Sequence, residues 1–131
     1  MKCLIVGASA GVGRSLAERL ASQNNDLFLV ASDEQDLTAL AKDIALRFEV
    51  SVGTQALDLN KLDAAKIRRE VIHFFGPPDV LLFVAGYGNQ HDTGPLEGSE
   101  LDRLVDVNFR SAVAAVNAFL PDMINGTIRT C

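Results

Sequence analysis

The residues with the most chemical potential stand near the start of the chain. Gly7, Gly11 and Gly13, within GASAGVG, directly follow the apolar run CLIV and precede a helical pattern. A glycine-rich turn there lets main chain approach a pyrophosphate closely, while the unpaired N–H groups and positive dipole end of the next helix attract the anion. Ser9 adds a hydroxyl donor inside the turn, and Val12 lies between its last two glycines. Arg14 rather than Lys follows Gly13, which excludes a P-loop. The same turn without a ligand is merely a tight strand-to-helix connection, so its weight comes from the elements around it.

Further candidates fall at later strand ends. Asp33 lies twenty residues beyond Gly13 and beside Ser32, where a carboxylate accepts hydrogen bonds from a ribose. An Asp in a helix's first turn also satisfies orphan N–H groups and the dipole, and both readings stand. Asp58 ends the third strand and Ala85-Gly86 ends the fourth, so these sites converge on one sheet edge. Asn108 falls between Val105 and Ala112 on an apolar helical stripe, where an unpaired carboxamide costs about 1–3 kcal/mol. It either bridges backbone to a loop or water, or serves a reaction. His73 and His91 have no metal-ligand neighbours at useful spacing, and no metal is expected. Tyr87, the single tyrosine, reads as a surface or packing residue.

Positioning these residues requires a particular order of elements. Residues 2–6, 27–31 and 80–85 are unbroken apolar runs, the pattern of strands buried on both faces, and 50–57 reads as a weaker strand. Between them run helical patterns: Val12, Leu16 and Leu20, then Leu37, Leu40, Ala41, Ile44, Ala45 and Phe48. Ser32 and Gln35 stand at capping-box spacing ahead of the second helix. A third helix is expected from about Asn60 to Phe75, stopped by Gly76-Pro77-Pro78. A fourth should run from about Ser99 to Leu120, with Leu101, Val105, Ala112, Ala115 and Phe119 on one stripe and Pro121 closing it. The alternation predicts an α/β, Rossmann-type doubly wound parallel sheet of order 3-2-1-4 with right-handed crossovers.

Composition narrows the function classes. The 131 residues, 48% hydrophobic, suit one domain spanning 1–131. A net charge of −5 without basic runs argues against nucleic-acid and membrane-surface partners, so an anionic ligand must be held locally. Cys3 and Cys131 form neither a disulfide framework nor a metal site, and a reducing cytoplasm fits best. No stretch reaches membrane-spanning length, and the apolar start is too short for a signal-peptide core.

On these motifs the chain resembles the short-chain dehydrogenase/reductase family in its smaller, single-domain branch. Gly7 to Gly13 is similar to the family's cofactor turn, Asp58-Leu59 to its adenine-contacting pair, and Phe83-Val84-Ala85-Gly86 to its Asn-Asn-Ala-Gly segment. Val107-Asn108-Phe109 with Leu120-Pro121-Asp122-Met123 resembles its fourth-helix signature. The resemblance covers essentially the whole chain and implies NAD or NADP as cofactor, hydride transfer with a small carbonyl or alcohol substrate, and Asn108 as a catalytic residue. Val6 replaces the usual Thr and Phe83-Val84 the two Asn residues, so local hydrogen bonding differs. Ser32, Asp33 and Ala10 stand where members using NADP carry cations, which favours NAD.

One family feature is absent. Tyr87 is followed four residues later by His91, and the last lysine is Lys66, so these residues contain no Y-x-x-x-K pair. The resemblance therefore implies a cofactor-binding half, inactive alone, with Asn125-Gly126-Thr127-Ile128 entering a fifth strand where a truncated chain stops. A missing second half predicts an open sheet edge and an apolar helix face, hence self-association or a homo-oligomer. A non-catalytic module that binds a dinucleotide to sense redox state or regulate a partner is the alternative, and a fold unit whose glycine turn binds nothing is a third.

Overall fold

The computed structural model describes residues 1–8, 11–85 and 98–125. Four strands, β1 (Lys2–Val6), β2 (Asp26–Ala31), β3 (Val52–Ala56) and β4 (Val80–Phe83), form one parallel sheet in the order β3-β2-β1-β4. This is the predicted topology. Successive side chains of a strand point to opposite faces, so an unbroken apolar run serves two cores at once.

On one face Cys3, Ile5, Leu27 and Leu29 pack with Ala17 and Ala21 of α1 (Gly11–Ser22) and with Leu37, Leu40 and Ile44 of α2 (Glu34–Phe48). On the other, Leu4, Val6, Phe28 and Val30 meet Ile67 and Val71 of α3 (Ala64–Phe75). The same layer takes Phe119 and Met123 of α5 (Ser111–Ile124). Asp79 sets the β1/β4 register, its backbone N–H donating to the Lys2 carbonyl (2.8 Å) and its Oδ2 accepting the Lys2 N–H (2.9 Å).

Several expected details differ. In α1 the buried face is Gly13, Ala17 and Ala21, whereas Val12 is 68% exposed and Leu16 and Leu20 are half-buried. Small residues win because they let the helix approach the sheet, leaving the larger ones at its flanks. The N-cap of α2 is Asp33, whose Oδ1 accepts the Asp36 N–H at 3.0 Å, in place of the expected Ser32 box. The third helix starts later than expected. Asp58 caps a separate 3-10 turn (Leu59–Lys61), Leu62 is extended, and Asp63 then caps α3.

The largest difference lies in the fourth helical segment. It consists of α4 (Gly98–Val105), a π-helical turn (Asp106–Arg110) and α5 in succession. A π-turn adds a residue to the helical repeat and rotates everything after it relative to an α-helical projection. The buried stripe is therefore Val107, Ser111, Ala115, Phe119 and Met123, while Leu101 and Val105 are exposed. Nor does Pro121 end the helix, which continues to Ile124. The packing of Met123 one turn beyond Phe119 outweighs the one backbone hydrogen bond a late proline removes.

Candidate functional site

The carboxyl ends of the strands are joined by main-chain hydrogen bonds. The Val6 carbonyl accepts the N–H groups of both Val84 (2.9 Å) and Ala85 (3.0 Å). The Val30 carbonyl likewise accepts those of Gly7 (2.7 Å) and Ala8 (3.3 Å), and the Ala31 carbonyl that of Leu57 (3.0 Å). Gly7, Val84, Ala85 and the turn after β3 thus share one edge, as the apolar runs predicted.

The glycine turn is sterically specified. Gly7 has φ +98°, and a Cβ on it would overlap the backbone of Ala85. A Cβ on Gly13 would overlap the Gly7 carbonyl, so α1 starts with its backbone pressed against the end of β1. Gly11 has φ +59°, yet nothing lies within 4 Å of where its Cβ would stand. Two glycines thus close the turn, and the third faces open space at the N-terminus of α1. Among the described residues no side chain stands in front of Gly11, and the N–H groups and dipole at the N-terminus of α1 suit a phosphate there.

The remaining candidates line the same edge. Ser32 and Asp33 follow β2 and are exposed, with Asp33 occupied as the cap of α2. Asp58 is exposed after β3, its Oδ1 accepting the Asn60 N–H at 2.9 Å, and Leu59 is half-buried. Arg14 Nε pairs with Glu18 Oε1 at 3.3 Å, as a first-turn surface residue would. Ser9, Gly86, Tyr87 and His91 lie outside the described residues, as does the expected entry to a fifth strand beyond Asn125, which is the C-cap of α5.

Asn108 is not on the buried stripe. The π-turn carries it to an exposed position, and Val107 takes the buried place. Sequence reasoning missed Ser111, which is 4% exposed and whose Oγ donates toward the Leu59 carbonyl (2.7 Å) and the Asp106 carbonyl (2.8 Å). The available signal was a lone hydroxyl within the four-residue repeat Val107, Ser111, Ala115, Phe119. Through it the turn carrying Asn108 abuts the turn carrying Asp58 and Leu59. Among the described residues no three His, Cys, Asp or Glu side chains could hold a metal ion together, and no helix is long and apolar enough to cross a membrane.

The short chain dehydrogenase family matches this chain over residues 2–128. An uncharacterized oxidoreductase of Staphylococcus saprophyticus is 32% identical over 125 residues, covering 93% of this chain and 53% of that protein. A very-long-chain 3-oxoacyl-CoA reductase of Laccaria bicolor is 29% identical over 128 residues, covering 92% and 37% respectively. The chain thus spans about half the length, or less, of these curated relatives. Among solved structures, the bulky-bulky ketone specific alcohol dehydrogenase of Comamonas testosteroni superimposes with a TM-score of 0.81 at 26% identity, over 92% of this chain and 48% of that one. The L-sorbose reductase of Gluconobacter frateurii, complexed with NADPH and L-sorbose, shares the fold with a TM-score of 0.85 at 24% identity, over 93% and 47%.

Proposed function

This chain belongs to the short-chain dehydrogenase family, and from that premise we propose that residues 1–131 form a nicotinamide-dinucleotide-binding domain serving hydride transfer between the cofactor and a small carbonyl or alcohol. The observation that carries the reading is the glycine turn: Gly7 and Gly13 admit no side chain, while Gly11 leaves the N-terminus of α1 open. Gly7, Ser9, Gly11, Val12 and Gly13 would hold the pyrophosphate. Ser32 and Asp33 would meet the adenosine ribose, and Asp58 and Leu59 the adenine. Val84, Ala85 and Gly86 would border the nicotinamide side, with Asn108 as the catalytic residue this chain provides. NAD is favoured over NADP, because Ser32 and Asp33 offer no cation to a 2'-phosphate. The L-sorbose reductase complex with NADPH supports a nicotinamide cofactor in this fold without deciding between the two.

When bound, the dinucleotide supplies or accepts the hydride. A family proton donor of the Y-x-x-x-K kind is absent from these 131 residues, where Tyr87 is the only tyrosine and Lys66 the last lysine. The chain alone should therefore bind cofactor without appreciable turnover. That same absence favours, as the second reading, a module that binds a dinucleotide to sense redox state or regulate a partner. Calorimetric titration with NADH and NADPH tests the binding, and NAD(P)H-dependent carbonyl reduction by the purified chain would contradict the inactivity.

We further assign self-association to this chain. Phe109, Val113, Val116, Leu120 and Ile124 are exposed along one helical column, and β4 pairs only with β1 among the described residues. Both features invite another chain. A reducing cytoplasm remains the compartment that suits its low cysteine content.

A further inference from the structure

Ser111 is the first residue of α5 and sits at the junction of three pieces of backbone. Its N–H donates to the Asp106 carbonyl, closing the π-turn, and its hydroxyl reaches the same carbonyl at 2.8 Å. The hydroxyl also reaches the Leu59 carbonyl at 2.7 Å, 52 residues away in sequence. One hydrogen therefore serves two acceptors at a residue that is 4% exposed. The Leu59 carbonyl belongs to the 3-10 turn that Asp58 caps, and the Asp106 carbonyl opens the π-turn that holds Asn108. A polar recess of about 270 Å³ lined by Asn60, Lys61, Asp106, Arg110 and Ser111 runs along this seam. π-turns within α-helices occur frequently at functional sites.

We propose that Ser111 is a positioning residue that couples the turn at Asp58 and Leu59 to the π-turn bearing Asn108, so that the two ends of the candidate site hold a common geometry. Because a buried hydroxyl bonds to both turns, a ligand that orders the first also orders the second. The ligand part rests on the assignment of Asp58 and Leu59 to the adenine side, whereas the structural coupling does not.

Nuclear magnetic resonance of the full chain tests both parts. In the unliganded protein, Ser111→Ala should move the amide resonances of residues 58–61 and the Asn108 side-chain amide together while the thermal melt stays cooperative. Ser111→Thr, which keeps the hydroxyl, should restore both sets. In the wild type, AMP should shift residues 58–61 and Asn108 with a common saturation curve. Ser111→Ala should uncouple the Asn108 response and weaken AMP about 3- to 10-fold, the equivalent of one hydrogen bond. A Thr variant that behaves like the Ala variant, or an Ala variant that disturbs only α5, would overturn the proposal. Absence of any saturable AMP shift in the wild type would sink the adenine assignment and the ligand part, while the unliganded comparison still decides the coupling.

Discussion

The Gly7 carbonyl occupies the space that a Cβ on Gly13 would need. The two outer glycines of the turn are thus held backbone to backbone, which fixes how β1 delivers the chain into α1. Adding the methyl of Gly13→Ala must displace main chain rather than a flexible side chain, and overpacking of that kind costs about 1–3 kcal/mol. Urea denaturation should show a lower midpoint with an unchanged slope. An unaltered midpoint would mean that the close approach is absent in solution.

Gly11 should behave differently. Its φ of +59° is strained for a residue with a Cβ, but the space in front of it is open. Gly11→Ala should fold with a loss of about 1–2 kcal/mol, and its larger effect should be on NADH affinity, because the new methyl enters the cradle. Parallel denaturation and calorimetry separate the two effects. Equal affinity for NADH in wild type and variant would place the phosphate elsewhere.

Asp33 has two roles to disentangle. As the N-cap of α2 its replacement by Ala should destabilise by about 0.5–2 kcal/mol. Asp33→Ser retains a capping oxygen and removes the charge, so stability should change little. The ratio of NADPH to NADH affinity should rise, because the carboxylate no longer repels a 2'-phosphate. A ratio that stays constant in paired titrations would leave Asp33 with the cap alone.

Much of this architecture is written in residue patterns. The runs at β1 and β2 name their strands because burial on both faces leaves no polar alternation to confuse the assignment. Leu37, Leu40, Ala41 and Ile44 give α2 its buried face directly. In the fourth helical segment the differences share one cause, that periodicity presumes a uniform helix. Leu101 and Val105 align with Ala112 and Phe119 only if every turn is α-helical, and the π-turn at Asp106–Arg110 breaks that projection. Asn108 was misplaced for the same reason, and Ser111 was hidden because its partner Leu59 is close only in space. At the site, the glycine turn and the strand-end acids were legible, whereas the occupation of Asp33 by capping depended on one of two readings the sequence left open.

The α3–α5 contact carries a pH signature. Arg68 donates from Nε and Nη2 to the two carboxylate oxygens of Asp122 at 2.7 and 2.9 Å. These hydrogen bonds hold the Asp122 carboxyl below the usual carboxylate range. A carboxylate whose folded pKa is depressed contributes stability that is present above its unfolded value and is lost as pH falls through the folded one. Asp122→Asn should therefore lower the melting temperature at neutral pH, with the difference from wild type closing in the acid range. A gap that persists below the pKa of the folded carboxyl would show that the charge is not its source.

The exposed column on α5 predicts association through apolar contact. Val116→Glu places a charge at its centre, where Val113 and Leu120 flank a groove of about 380 Å³. Analytical ultracentrifugation should show concentration-dependent association of the wild-type chain and a shift toward monomer in the variant. A wild-type chain that stays monomeric at high concentration would contradict the assignment.

The most direct test of the whole account is calorimetric titration of the folded 131-residue chain with NADH, alongside Gly11→Ala under the same conditions. Saturable one-to-one binding that weakens at least about tenfold in the variant, the equivalent of roughly 1.4 kcal/mol, is the predicted result. A folded wild-type chain that shows no saturable heat with either NADH or NADPH would contradict it.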